Sequence, residues 1–238
     1  MENTSKNKII TVIVAAYKAE RFIDEALSSI LAQELPEGWT LQLLLGIDGC
    51  QKTKKAVQKI KDPRLTKYMM KRNRGTYITF NTMMKYAKGE VITRFDADDI
   101  MYQGMLMSGI LEVSKGVDLL KFRCKEFPGK GNSFRIPHGI LMFKRNVYDA
   151  VGGFQCWKCG ADTDFVLKIF SRSFVVKDLK DKVYFGVRKG TNTLTSSKKT
   201  GFGSPYRGMI QAIVRKNEKF YKQIKLNSVP LTGKCVKI

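Results

Sequence analysis

The chain's 238 residues, 43% apolar and 27% charged, suffice for one large domain or two small ones with a proper core. Its longest strongly apolar run, Ile9 to Tyr17, is far short of the ~20 residues that cross a bilayer, and the polar stretch Met1 to Lys8 lacks a signal-peptide pattern, so no transmembrane segment and a cytoplasmic address are expected. Five scattered cysteines argue against a disulfide framework, while a formal net charge of +22 points to an anionic partner: nucleic acid, an anionic membrane surface or a phosphorylated substrate.

Ile9 to Ala16 is a near-continuous β-branched run, which suits a strand buried on both faces of a parallel sheet. Phe22, Ile23, Ala26, Leu27, Ile30 and Leu31 then recur at helical spacing, predicting a helix to about Gln33. Leu41 to Ile47 is a second strand ending in Asp48-Gly49. A basic helix follows from about Gln51 to Lys61, and Leu65 to Met70 reads as a third strand. Tyr77 to Ala87 predicts a helix closed by Lys88-Gly89. Val91 opens a fourth strand. The alternation predicts a doubly wound α/β sheet.

Farther on, helices are expected at Tyr102–Ser114, near Val147 and at Asp162–Phe170, with strands at Val117–Phe122 and Val183–Val187 and an apolar segment at Ile140–Phe143. Pro128–Asn132 reads as a loop and Gly152-Gly-Phe154 as a turn. Arg188–Tyr206 is rich in Gly, Ser, Thr and Lys and is read as a loop or lid. Gly208–Ile224 is a basic amphipathic helix, and the last dozen residues are expected to be disordered. Positive charge concentrates in two places: ten Lys or Arg against one acid from Lys52 to Arg74, and eight against one from Arg207 to the end. Cys156-Trp-Lys-Cys159 has half of a zinc site's spacing, but His138 is the sole histidine.

The strand from Val91 ends in Phe95-Asp-Ala-Asp-Asp99. Asp is a poor strand residue, so the acids lie at the strand's C-terminal end, where open α/β sheets bind ligands. Two readings follow. Asp99 can be the N-cap of the next helix. Alternatively, Asp96 and Asp98 can face a hard divalent cation, which takes one or two carboxylates plus substrate phosphates.

Four segments in this order and spacing resemble the family 2 glycosyltransferases of the GT-A fold. They are Thr11–Phe22, Gly46-Ile-Asp-Gly49, Asn73–Gly89 with Val91–Asp99, and Gly152-Gly-Phe154 with Ala161-Asp-Thr-Asp164. The resemblance covers roughly Ile9 to Phe170. It implies a GT-A type, Rossmann-like, mostly parallel sheet with acceptor-side insertions and a basic C-terminal helix. It divides a single domain, 1–238, into a nucleotide-sugar-binding half (1–100), an acceptor-binding half (101–200) and a basic extension (201–238). It implies inverting transfer of a sugar from a nucleotide-diphosphate donor to an acceptor hydroxyl, with Mn²⁺ or Mg²⁺ as cofactor.

By residue, the resemblance implies a donor site of Ala16, Tyr17, Glu20, Asp48, Arg72, Asn73, Asn81, Asp96, Ala97 and Asp98. Tyr17 would stack on the base, Asp48 would meet base or ribose, and Asp96 would face the ribose or the metal. Asp98 would be the principal metal ligand, with Asp99 keeping its capping role. Lys71, Arg72 or Arg74 could assist at the phosphates. Asp162 matches the family's general base and Asp164 is the second acid of the pair. Trp157, Gly153 and Arg207 fall on the acceptor side.

The sequence departs from the family pattern at Ile47, Ala161 and Phe80, and it has no late histidine to complete the metal shell. Water could fill that place, or Arg188 and Lys189 could hold the phosphates. The acceptor is a lipid-linked or surface glycan, with the basic helix resting on an anionic membrane at its inner face, or else a hydroxyl-bearing modified base in DNA. A reading of another class is a non-catalytic nucleotide- or nucleic-acid-binding module on a degenerate transferase scaffold.

Overall fold

A computed structural model of the chain describes residues 7–127, 134–189, 198–221 and 232–238. Nine residues from Lys8 to Ala16 form β1, and everything from Ile10 to Val14 in it is buried. Fully burying a Val or Ile contributes ~1.5–3 kcal/mol, so this run is committed to the centre of the sheet. It is flanked by β2 (Trp39–Ile47) and β4 (Val91–Asp96), both parallel to it, and β3 (Leu65–Met70) extends the parallel block beyond β2.

The connecting helices are α1 (Ile23–Leu31), α2 (Gln51–Val57) and α3 (Thr76–Met84). Beyond β4 come β5 (Ile100–Met101), α4 (Met105–Ser114), β6 (Leu119–Phe122), β7 (Cys124–Phe127) and β8 (Phe134–Arg135). They are followed by β9 (Leu141–Lys144), α5 (Arg145–Val151), α6 (Ala161–Phe170), β10 (Val176–Leu179), β11 (Phe185–Arg188), α7 (Pro205–Tyr221) and β12 (Cys235–Lys237).

The large sheet runs β10-β6-β9-β4-β1-β2-β3-β12, with β9 and β12 antiparallel to their neighbours. A small sheet, β5-β11-β7-β8, stands beside it. One apolar cluster packs α1, α2 and α4 on one face of the large sheet, and a second packs α3, α5 and α6 on the other. This is the doubly wound, mostly parallel arrangement expected. α3 is buried from Tyr77 to Met84, its polar Thr79, Asn81 and Thr82 included. It can come this close because β2 has Gly46: a Cβ there would lie 2.6 Å from Thr79 Cγ2.

Several expectations need correction. α2 stops at Val57 and α3 at Met84, so Lys88-Gly89 does not close α3. The Gly89 amide instead donates to Thr11 Oγ1 at 2.9 Å, tying the approach to β4 onto β1. Asp99 caps no helix: β5 follows it, α4 begins only at Met105, and its carboxylate accepts the Arg188 N–H at 3.0 Å. The C-terminus is not a disordered tail over 232–238, because β12 pairs antiparallel with β3 through Cys235–Lys237. Arg188 belongs to β11 rather than to a loop, and α7 starts at Pro205. The Pro128–Asn132 loop, the stretch 190–197 and the end of the last helix at Ile224 lie outside the described residues.

Candidate active site

Parallel register brings three strand ends to one edge: Ala16 stands beside Ile47, and Ala15 beside Asp96. The Asp48 N–H donates to the Ala16 carbonyl at 2.8 Å, closing the crevice between β1 and β2. Tyr17 stands out from this edge, about half exposed, with Lys18 Nζ 5.4 Å from its ring centre. Glu20, nearby, has a buried Oε2 with no hydrogen-bond partner.

Asp48 is buried, and its two oxygens accept the backbone N–H groups of Arg74 (2.7 Å) and Gly75 (2.8 Å). It therefore shapes the loop before α3. Gly49 has φ +68° and sits so close to that loop that a Cβ would lie 2.4 Å from the Asn73 nitrogen. Arg72 and Asn73 are thereby held at the rim with exposed side chains.

The acid turn forms the floor. Asp96 is ion-paired with Arg94 at 2.8 Å, and Ala97 is buried. Burial, and then the neighbouring charge of Asp96, push the Asp98 carboxyl up from the ordinary 3.8 to about 6. Burial also raises Asp96 and, further, Asp99. Asp162 lies in the first turn of α6, a position that favours anions, and accepts the Thr163 N–H on Oδ1 at 2.9 Å. Tyr77, on α3, is buried, and burial first and the charge of Asp162 second raise its phenol well above the usual range. Asp96 and Asp162 converge at Gly139: the Oδ2 of each is 3.8 Å from the place a Cβ would take there.

Other expected site residues are turned elsewhere. Asn81 is buried and brackets α3 to the glycine turn: its Nδ2 donates to the Phe154 carbonyl at 2.8 Å, and its Oδ1 accepts the Tyr148 hydroxyl at 2.8 Å. Asp164 is fully buried, ion-paired with Lys168 at 2.7 Å and hydrogen-bonded by the Tyr221 hydroxyl, so it anchors α7 to α6 and has no face on the cleft. Gly153 is buried in a pair of left-handed residues that ends α5, with its N–H on the Tyr148 carbonyl at 3.0 Å. Trp157 packs, half-buried, on the second apolar cluster. Arg207 folds over Phe202 with its Nε on the Thr200 carbonyl at 2.8 Å.

Arg188 and Lys189, the other candidates for the phosphates, are each engaged by side chains of the fold. The Arg188 guanidinium lies between the Phe22 and Phe127 rings, donates from Nε to the Asp98 carbonyl at 3.1 Å and pairs with Glu25. Lys189 pairs with Glu126 at 2.9 Å. His138 stands by Thr163 (3.4 Å) at the start of α6, where burial lowers its pKa. A cleft of about 490 Å³ is lined by Lys158, Lys198, Lys199, Thr200, Pro205 and Tyr206.

Sequence reasoning passed over Arg94, Tyr77 and Gly139. The signal for Arg94 was present: a guanidinium in the middle of a strand meant for the core needs a partner there.

A sequence profile described as Glycosyl transferase family 2 matches residues 11–175. The chain belongs to that family. This family 2 glycosyltransferase is 25% identical over 203 residues to a protein of Bacillus subtilis (strain 168) named "Putative glycosyltransferase EpsE", covering 74% of this chain and 71% of the relative. It is 32% identical over 92 residues to the Escherichia coli UDP-Glc:alpha-D-GlcNAc-diphosphoundecaprenol beta-1,3-glucosyltransferase WfgD, covering 39% of this chain and 36% of WfgD.

Among solved structures it is similar to S. aureus TarS 1-349 in complex with UDP-GlcNAc (TM-score 0.68, 21% identity, 77% of this chain and 59% of that one). It is also similar to the mannosyltransferase PcManGT from Pyrobaculum calidifontis in complex with GDP-Man and Mn²⁺ (TM-score 0.62, 21% identity, 93% and 65%). This family 2 enzyme thus spans under two thirds of either solved chain, and the likeness to them is one of fold. No helix among its described residues is long and apolar enough to cross a membrane.

Proposed function

We propose that this enzyme transfers a sugar, with inversion, from a nucleotide-diphosphate donor to a hydroxyl of a lipid-linked or surface glycan. The observation that carries the reading is the convergence of Asp96 and Asp162 on one point at Gly139, with Tyr17, Asp48 and Asp98 along the edge beside it. Tyr17 supplies an exposed ring for the base, and the loop that Asp48 holds supplies Arg72 and Asn73 at the rim. Asn81, Gly153 and Asp164 take no part, because their polar groups are spent inside the fold.

In a single displacement the acceptor oxygen bonds to the anomeric carbon as the bond from that carbon to the diphosphate oxygen breaks. Asp162 Oδ2 takes the proton of the acceptor hydroxyl. Its other oxygen is held by the Thr163 N–H, so the base is oriented before substrate arrives.

Asp98 and Asp96 fit a hard divalent cation such as Mn²⁺ or Mg²⁺. Both offer oxygen donors on one turn, and burial first and the Asp96 charge second raise the Asp98 carboxyl, a cost that a bound cation would offset. Among the described residues no group of three His, Cys, Asp or Glu side chains could hold a metal, so substrate phosphates and water would complete its shell. When bound, such an ion neutralises charge on the departing diphosphate.

The WfgD relative's named acceptor, a diphosphoundecaprenol-linked sugar, supports a lipid-linked acceptor here. So does the lysine-lined cleft beside α7, whose outer face exposes Met209 and Ile213 near exposed Phe202, a combination suited to an anionic membrane surface at the cytoplasmic side. Asp162→Asn tests the chemistry. Transfer should fall by ~10²-fold or more while nucleotide-sugar affinity, read by calorimetry, stays within about twofold. Retained turnover would remove Asp162 from the role.

A further inference from the structure

No residue from Thr232 to Ile238 is buried, and Lys234, Val236, Lys237 and Ile238 are exposed. Apolar burial therefore contributes little to seating this segment, and hydrogen bonds must hold it. β12 lies antiparallel on β3, with Cys235 opposite Met70, Val236 opposite Met69 and Lys237 opposite Tyr68. The ladder runs past both ends of the strand. The Ile238 N–H donates to the Lys67 carbonyl at 2.9 Å, and the Lys71 N–H donates to the Lys234 carbonyl at 3.3 Å. Just before, the Gly233 N–H donates to Thr82 Oγ1 at 2.8 Å, so close to buried Met70 that a side chain at 233 would run into it.

Lys71 is also the first residue of the loop that carries Arg72 and Asn73. The far end of that loop is held by the Asp48 carboxylate, which accepts the N–H groups of Arg74 and Gly75, and its middle rests on Gly49. The near end is held by β12, since β3 stops at Met70 and α3 begins only at Thr76. With the near end loose, a ligand would have to order the loop as it binds, at a cost in affinity.

We propose that β12 is a positioning strand for the donor nucleotide: by accepting the Lys71 N–H, it keeps Arg72 and Asn73 at the rim in the conformation that meets the ligand. The inference rests on the donor reading given above. It adds that nucleotide affinity is set in part by a strand that reaches the rim loop through a backbone carbonyl.

The ladder itself supplies the test. In an antiparallel pair, bonded and non-bonded residue pairs alternate. Lys71 with Lys234 and Lys67 with Ile238 are bonded, so Met69 with Val236, midway between them, is bonded too, and Tyr68 with Lys237 is not. Val236→Pro therefore removes a ladder N–H. Lys237→Pro removes one that faces away from β3, where an edge strand accepts proline. Both variants are made in the full chain and their melting temperatures measured. UDP, GDP, CDP and dTDP are then titrated by calorimetry with Mn²⁺, well below the wild-type midpoint. The wild-type protein should bind at least one of these nucleotides. Val236→Pro should bind it about tenfold more weakly, the order expected of a lost backbone hydrogen bond and the loop order it held, and Lys237→Pro within about twofold of wild type. Amide hydrogen exchange at Lys71, Arg72 and Asn73 should rise in Val236→Pro alone.

A Val236→Pro protein with wild-type affinity overturns the proposal, because Asp48 and Gly49 then hold the loop unaided. Equal weakening in Lys237→Pro overturns it as well, since that variant keeps the ladder. A Val236→Pro protein unfolded at the assay temperature makes β12 a support of the whole fold, and the positioning role falls. A wild-type protein that binds none of the nucleotides refutes the donor reading itself, which the other outcomes leave standing.

Discussion

Asp98→Asn separates the electrostatics of the acid turn from its packing. The Asp98 carboxyl is raised in the fold from the ordinary 3.8 to about 6, by burial first and by Asp96 second. At ~1.4 kcal/mol per pH unit, this amounts to ~3 kcal/mol held against the native state whenever the group is ionised. The sign follows from the direction. A carboxyl raised in the fold contributes stability that is complete below pH 3.8 and lost as pH rises through about 6. Asn resembles the protonated acid in shape and carries no charge, so the variant escapes that loss.

At pH 7.5, without metal or nucleotide, Asp98→Asn should be the more stable protein by ~2–3 kcal/mol, or roughly 4–10 °C in a melting scan for a chain of this size. The gap should close as pH falls toward 4. Adding Mn²⁺ with UDP or GDP should reverse the order, since a ligand that binds only the native wild type stabilises only the wild type. Differential scanning fluorimetry over pH 4–8, with and without those additions, reads all three effects. A difference in melting temperature that is flat with pH, or a variant less stable than wild type at pH 7.5, would refute the assignment of that cost to the Asp98 charge.

Two further outcomes follow from the same geometry. Lys168→Ala leaves Asp164 buried without its ion-pair partner, at 0% exposure. The loss should be ~3–5 kcal/mol by thermal denaturation, with turnover below the new midpoint within a few-fold of wild type, whereas a catalytic role for Asp164 requires a far deeper loss of turnover. Charge reversal at Lys158 and Lys198 should weaken binding to phosphatidylglycerol vesicles by about tenfold at 50 mM salt and by much less at 500 mM; binding to neutral vesicles of equal strength would remove the electrostatic account of that cleft.

Residue type and spacing alone suffice for the parallel core and for the edge where its acids lie. β1 is an unbroken β-branched run, which settles on a strand buried on both faces whatever surrounds it. The acids after Phe95 mark where β4 must leave the apolar interior, because an unpaired carboxylate cannot follow the strand inward. These signals are local: residue type and period suffice to read them. Short strands lacked such a period. β5, β8 and β12 have two or three residues each and exist because a neighbouring strand offers backbone partners.

Which acids are open to the cleft depends instead on long-range packing. Asp162 and Asp164 lie in the same helical turn, two residues apart, yet about 200° of rotation around α6 sends the first to the cleft and the second into the Lys168–Tyr221 interface. Asn81 was drawn inside by the glycine turn 73 positions away, and Arg188 was occupied by Phe22, Glu25 and the acid turn itself. Arg94 was brought beside Gly139, a residue 45 positions later with no side chain at all. Each of these depends on what stands opposite, and what stands opposite is set by the packing of the sheet and its helices, which no local pattern encodes.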